Sequence, residues 1–166
     1  MLSNVHYLPD SDVDDALDSK LRALLGLCFG ESFKNKRYCF EMPPHRWLVY
    51  DDSEIAAHLA IHEKVFKVEG KEEPFLGVAE VCVAPAYRGR GLVREMLKNA
   101  EDHFPTAAFS ILLGERGIYG SSGYLPVDNV YFPYKNADVP DNDVLVKALK
   151  NAPWPEGKVV IEGPPF

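Results

Sequence analysis

Apolar residues at Val13, Leu17, Leu21, Leu24 and Cys28 recur at helical spacing, which lays one stripe along one side of a helix. Ser11 or Asp12 stands where its N-cap is expected, Asp14 and Asp15 fall in the first turn, and an end near Gly26–Gly30 follows. A second stripe, Val93, Met96, Leu97, Ala100 and Phe104, predicts a helix that Pro105 stops. Between the two helices the period shortens. Residues 47–50, 55–68 and 75–84 read as strands of an antiparallel meander, separated by a turn at Asp51-Asp52-Ser53 and a break at Gly70. In the long middle strand Ile55, Ala57, Leu59 and Ile61 share one face, and His58 and His62 the other.

The flanks are simpler. Residues 5–8 predict a short first strand, and 31–46, basic, aromatic and closed by Pro43-Pro44, a short helix and a loop. Residues 107–113 predict a strand, 117–122 a short helix capped by Gly123, and 124–127 and 143–149 the last two strands. The expected organisation is one α+β domain over residues 1–150, with a mixed, mostly antiparallel sheet flanked by helices. Residues 151–166 carry four prolines and are expected to pack on it as an extended arm.

The length of 166 residues fits one domain, and 46% hydrophobic with 26% charged residues is an ordinary globular composition. A net charge of -7 offers no basic face for nucleic acid; it would attract cationic molecules, or simply keep the protein soluble. Three cysteines without a CxxC pair argue against a disulfide scaffold or a zinc site and fit a reducing cytoplasm. The N-terminal residues lack the basic and apolar regions of a signal peptide, and no apolar run reaches the ~18 residues of a membrane span.

The chemistry concentrates in Val81-Cys82-Val83-Ala84-Pro85-Ala86-Tyr87-Arg88-Gly89-Arg90-Gly91-Leu92-Val93. A strand runs into a glycine-rich turn that opens a helix. Free N–H groups at such a helix start, with the helix dipole behind them, favour an anion, and glycines let it come close. The spacing is neither a P-loop nor GxGxxG. It resembles the central motif of the GNAT N-acetyltransferases, whose Arg-x-x-Gly-x-Gly/Ala turn binds the CoA pyrophosphate. Val93 stands where the family usually has Gly or Ala. Further on, Tyr119 and Gly123-Tyr124 resemble the family's LYxxxGF segment. Ile55-Ala56-Ala57-His58, Trp154-Pro155-Glu156-Gly157 and Gly163-Pro164 resemble two branches, the aminoglycoside 2'-N-acetyltransferases and the nodulation-factor acyltransferases.

The resemblance implies transfer of an acetyl group from acetyl-CoA, without a metal, to a primary amine of a small molecule such as an aminosugar or polyamine. It implies that Arg88, Gly89, Arg90, Gly91, Leu92 and Val93 hold the pyrophosphate, and that the backbone of Val81, Cys82 and Val83 meets the pantetheine arm. Tyr119 is the implied general acid, although proton transfer from a phenol to a thiolate is uphill by about 2 kcal/mol before the site tunes it. Glu80 is the candidate base, acting through a water, but the related aminoglycoside enzymes carry their glutamate at the place of Ala79. One step along a strand changes the face, unless a bulge restores it. A structural Glu80 is the competing reading, as are sheet histidines for His58 and His62, an inert buried thiol for Cys82 and a solvated face for Lys34, Lys36 and Arg37. Trp154 and Phe166 read as packing residues. A longer-chain acyltransferase using acyl-CoA or acyl carrier protein, a non-catalytic CoA-binding regulator and a homodimeric assembly stay open.

Overall fold

A computed structural model describes all 166 residues. In chain order the elements are β1 (His6–Pro9), α1 (Asp15–Phe29), β2 (His45–Asp51), β3 (Glu54–Val68), β4 (Lys71–Val83), α2 (Leu92–His103), β5 (Phe109–Leu113), α3 (Arg116–Tyr119), β6 (Leu125–Pro126), β7 (Val130–Tyr131), β8 (Val144–Ala148) and β9 (Val159–Val160). This is the expected α+β class, with mostly antiparallel strand pairing. No helix is long and apolar enough to cross a membrane. The chain forms two compact units: Met1–His62 with Ala79–His103, and Glu63–Val78 with Phe104–Phe166. The long strands β3 and β4 contribute residues to both.

In the first unit β1, β2 and β3 pair antiparallel, His6 opposite Leu48 and Arg46 opposite Ala60. The β2–β3 register shifts between Val49 and Tyr50. Asp14, not Ser11 or Asp12, caps α1: its carboxylate accepts from the Leu17 N–H at 2.8 Å. Asp10–Asp12 instead form a separate 3-10 turn. Leu21, Leu24 and Leu25 of α1 bury against Leu48, Ile55, Phe33 and Cys82. Leu92, Met96, Leu97 and Ala100 bury one side of α2. Opposite ends of the indole matter there: the Trp47 ring is fully buried, and its Nε1–H donates to Asn99 Oδ1 on α2 at 2.9 Å.

The second unit is built on a parallel pair, β4 with β5 (Leu76 opposite Ser110), followed by antiparallel β8 and β6. Two strands escape the hydrophobic pattern. β7 and β9 have two residues each and pair parallel, and β9 also meets β3 at Lys67. Strands 124–127 and 143–149 are therefore not the last: the C-terminal segment contains β9, and its Val159 and Ile161 are fully buried with Phe66, Phe75, Phe109 and Phe132. Phe166 lies over Gly77, where an added Cβ would come within 3.1 Å of the ring. Asn129 clasps the same segment: its amide donates to Pro155 O and Gly157 O, and its Oδ1 accepts from Trp154 Nε1 at 2.9 Å.

Candidate active site

The end of β4 shapes the glycine turn. Ala84 N–H donates to Ala56 O on β3 at 2.9 Å. Successive residues of a strand direct their N–H and C=O groups to alternate sides, so those of Val83 face away from β3. Pro85–Tyr87 form a 3-10 turn, fastened by the Tyr87 hydroxyl to Asp51 Oδ2 at 2.8 Å. Gly89 and Gly91 follow at φ +76° and +78°, the left-handed region that glycine enters without penalty. An ideal Cβ at either position meets no atom within 4 Å, so the space above the turn is open.

α2 starts at once, with Leu92 buried as its anchor. Its first turn closes with Glu95 N–H on Gly91 O at 3.1 Å, so the N–H groups of Leu92, Val93 and Arg94 precede the ladder and project from the helix start. The two neighbouring guanidinium groups fold back on the turn. Arg88 Nε donates to Val83 O at 3.1 Å; Arg90 Nη2 donates to Ala86 O at 3.2 Å, and the Arg90 Cζ stands 5.4 Å from the centre of the Tyr87 ring. Open backbone, unpaired helix amides and two cations make a cradle that fits a diphosphate. The sequence-predicted residues Arg88 to Val93 are thus brought together; Val93 is half-buried and leaves the amides in place.

Glu80 lies in β4 at φ +52°, an unusual conformation for a non-glycine residue in a strand. Its carboxyl is buried, not solvated. Oε1 accepts from Cys39 N–H at 3.0 Å, while Oε2 has no hydrogen-bond partner and lies 3.6 Å from Arg46 Nη1. Its carbonyl bonds the His58 Nδ1 at 2.8 Å, and His58 Nε2 meets Arg46 Nη1 at 3.0 Å. Asp10 completes the cluster: it accepts from Arg46 Nε at 2.6 Å and takes a two-pronged grip from Arg37. Arg37 also reaches Asp18 at 2.9 Å. Arg22 also pairs with Asp18 at 2.9 Å, so three guanidinium cations, Arg22, Arg37 and Arg46, face three carboxylates, Asp10, Asp18 and Glu80. Burial then raises the Glu80 carboxyl to about 7, against the pull of Arg46 and the Cys39 N–H. Burial, with Arg46 alongside, drives His58 down to about 3 and keeps it neutral.

This cluster corrects one expectation and extends another. Arg37 is not part of a solvated basic face; it is an internal ion-pair partner. Lys36 bonds Cys39 O at 2.7 Å. His58 is a sheet histidine engaged in the cluster, and no group of three His, Cys, Asp or Glu side chains is placed to hold a metal ion. Arg46, fully buried in β2 next to Trp47, Leu48 and Val49, was the missed residue. Its one sequence signal is a charge within the run that forms β2.

Tyr119 belongs to the second unit, at the end of α3. Its ring lies edge-on to Tyr124 at 6.2 Å and close over Gly114, where a Cβ would come within 2.7 Å of it. Tyr124 itself is a core residue, its hydroxyl 2.7 Å from Ser110 Oγ. Gly123, at φ +94°, ends the segment as a left-handed cap.

The model of the acetyltransferase (GNAT) domain matches residues 5–127. The chain belongs to the GNAT family. The structure of the Escherichia coli GNAT family N-acetyltransferase YhbS in complex with CoA superposes with a TM-score of 0.69 at 16% identity, over 96% of this chain and 89% of that one. An aminoglycoside acetyltransferase from an uncultured soil metagenomic sample superposes at 0.55 and 21% identity, over 69% and 80%. Among curated proteins, a damage-control phosphatase of Archaeoglobus fulgidus is 26% identical over 113 residues, 67% of this GNAT chain but 39% of that protein. The chain thus spans well under half the length of the curated relative it matches.

Proposed function

We propose that this GNAT chain is an N-acyltransferase that binds acetyl-CoA and acetylates a primary amine of a small molecule, of aminosugar or polyamine type. The observation that carries the reading is the cradle: two left-handed glycines, open space above them and the free amides of α2 in immediate succession. In the reaction the amine nitrogen attacks the thioester carbonyl, the carbon–sulfur bond breaks, and the CoA thiolate leaves. Arg88 to Val93 bind the pyrophosphate. The Val81 to Val83 backbone lines the pantetheine arm, and the N–H of Val83, facing away from β3, is suited to it. Tyr119 supplies the proton to the thiolate. Glu80, raised to about 7, is poised to take the amine's proton through a water near neutral pH. Its orphaned Oε2 supports that role.

Calorimetric titration with acetyl-CoA tests the donor. Gly91→Glu forces a side chain into the left-handed region, a penalty of about 1–2 kcal/mol, and sets a carboxylate against a phosphate. It is expected to weaken binding at least tenfold, roughly the equivalent of 1.4 kcal/mol. Unchanged binding would remove the cradle from donor recognition. Tyr119→Phe is expected to lower kcat by about a hundredfold while acetyl-CoA affinity stays nearly intact. A normal kcat would take Tyr119 out of the mechanism.

A further inference from the structure

The reaction proposed above leaves the Cys28 thiol unused. Cys28 lies in the last turn of α1, half-buried, and its Sγ donates to Val83 O at 3.7 Å. That same carbonyl accepts Arg88 Nε at 3.1 Å. One oxygen, on the side of β4 that β3 does not use, therefore joins the thiol to the arginine of the cradle. Cys82 packs in the same cluster beside it.

We propose that Cys28 is a modification site: its sulfur exchanges with the disulfide of a low-molecular-weight thiol, and the adduct displaces Arg88 and closes the cradle. The closure rests on the acetyl-CoA reading; the exchange does not. In the exchange the Cys28 thiolate attacks one sulfur of the reagent. A new sulfur–sulfur bond forms at Cys28, the reagent's own bond breaks, and its other half leaves as a thiolate that takes up a proton. The small disulfide is the oxidant, and an excess of thiol reverses the step.

The three cysteines differ in fitness for this. A hydrogen bond from Cys82 and the nearby Arg88 cation lower Cys28 to about 6 despite its partial burial. The same contact with Cys28, together with burial, raises Cys82 well above the ordinary thiol range, and Cys82 is 5% exposed. Cys39 is as accessible as Cys28, but burial and Glu80 raise it above 9.0. At pH 7 Cys28 is therefore richer in thiolate than Cys39. A less basic thiolate is a weaker nucleophile, but a Brønsted slope of about 0.4–0.5 returns only part of that gain, so the advantage stays with Cys28.

The full chain, reduced and then exposed to glutathione disulfide at pH 7, is followed by intact mass and cysteine mapping, with acetyl-CoA titrations before exposure, after it and after reduction. The adduct is expected on Cys28 first, before Cys39 is labelled. Acetyl-CoA binding should fall in proportion and return on reduction. Cys28→Ser should bind acetyl-CoA normally and keep that binding under oxidation. A Cys28–Cys82 disulfide found in place of the adduct also begins at Cys28 and supports the site, provided Cys28→Ser abolishes it. Earlier labelling of Cys39, or a Cys28 adduct with undiminished binding, overturns the proposal. If the reduced protein binds no acetyl-CoA, the donor reading fails, and the labelling order alone decides the modification site.

Discussion

Glu80 and His58 are bonded to one another, yet they respond to acid in opposite directions. Folded His58 refuses a proton until about 3, whereas the unfolded side chain takes one near 6.5. Acidification through that window therefore charges the unfolded state and reduces stability. Folded Glu80 takes its proton near 7, the unfolded one near 4.5. Acidification through that window favours the folded state, which means that stability from this group is present at low pH and lost as pH rises to 7. The two effects offset each other between about 4.5 and 6.5. Glu80→Gln removes one of them. Its urea midpoint should fall more steeply from pH 7 to pH 5 than that of the wild type, and His58→Asn should show a shallower fall or a gain. Identical slopes in all three proteins would exclude the cluster from the pH response. None of this was legible in the residue pattern: Asp10 and Arg46 lie 36 positions apart, and no periodicity links them. The positive φ of Glu80 is equally invisible, although the offset between Ala79 and Glu80 called for an irregularity at this place.

Among the elements, length decided what could be read. α1, α2 and β3 span 15, 12 and 15 residues, enough for several repeats of their period, and their positions followed from the sequence. β7 and β9, at two residues each, contain no period at all. They exist because Val130 and Val159 bury completely, and because Asn129 ties the loop before β7 to the segment before β9. The cap of α1 was misplaced for another reason. Asp10, Ser11, Asp12, Asp14 and Asp15 all have capping chemistry, and only the interruption by Val13 and the fold of the 3-10 turn select Asp14. Asn129→Ala removes three hydrogen bonds to residues 154–157 at once. It should destabilise the second unit by about 2–3 kcal/mol, and amide exchange across 151–162 should speed up accordingly. Protection equal to wild type would mean that the apolar contacts of Val159 and Ile161 hold the segment unaided.

At the level of the whole molecule, class and family were legible because two motifs stand in order along the chain, at Arg88–Val93 and at Tyr119–Tyr124, and both rest on glycines that the backbone requires. The acceptor was not legible. A net charge of -7 constrains it only broadly. The division into two units has a practical consequence. The chain contains two tryptophans, one in each unit: Trp47 in the first, Trp154 in the second. Each indole donates a hydrogen bond to an asparagine, Asn99 on α2 and Asn129 before β7. The protein therefore carries two built-in fluorophores whose emission can be separated by a single Trp→Phe exchange. One watches the helix that bears the phosphate cradle, and the other watches the clasp on the C-terminal segment.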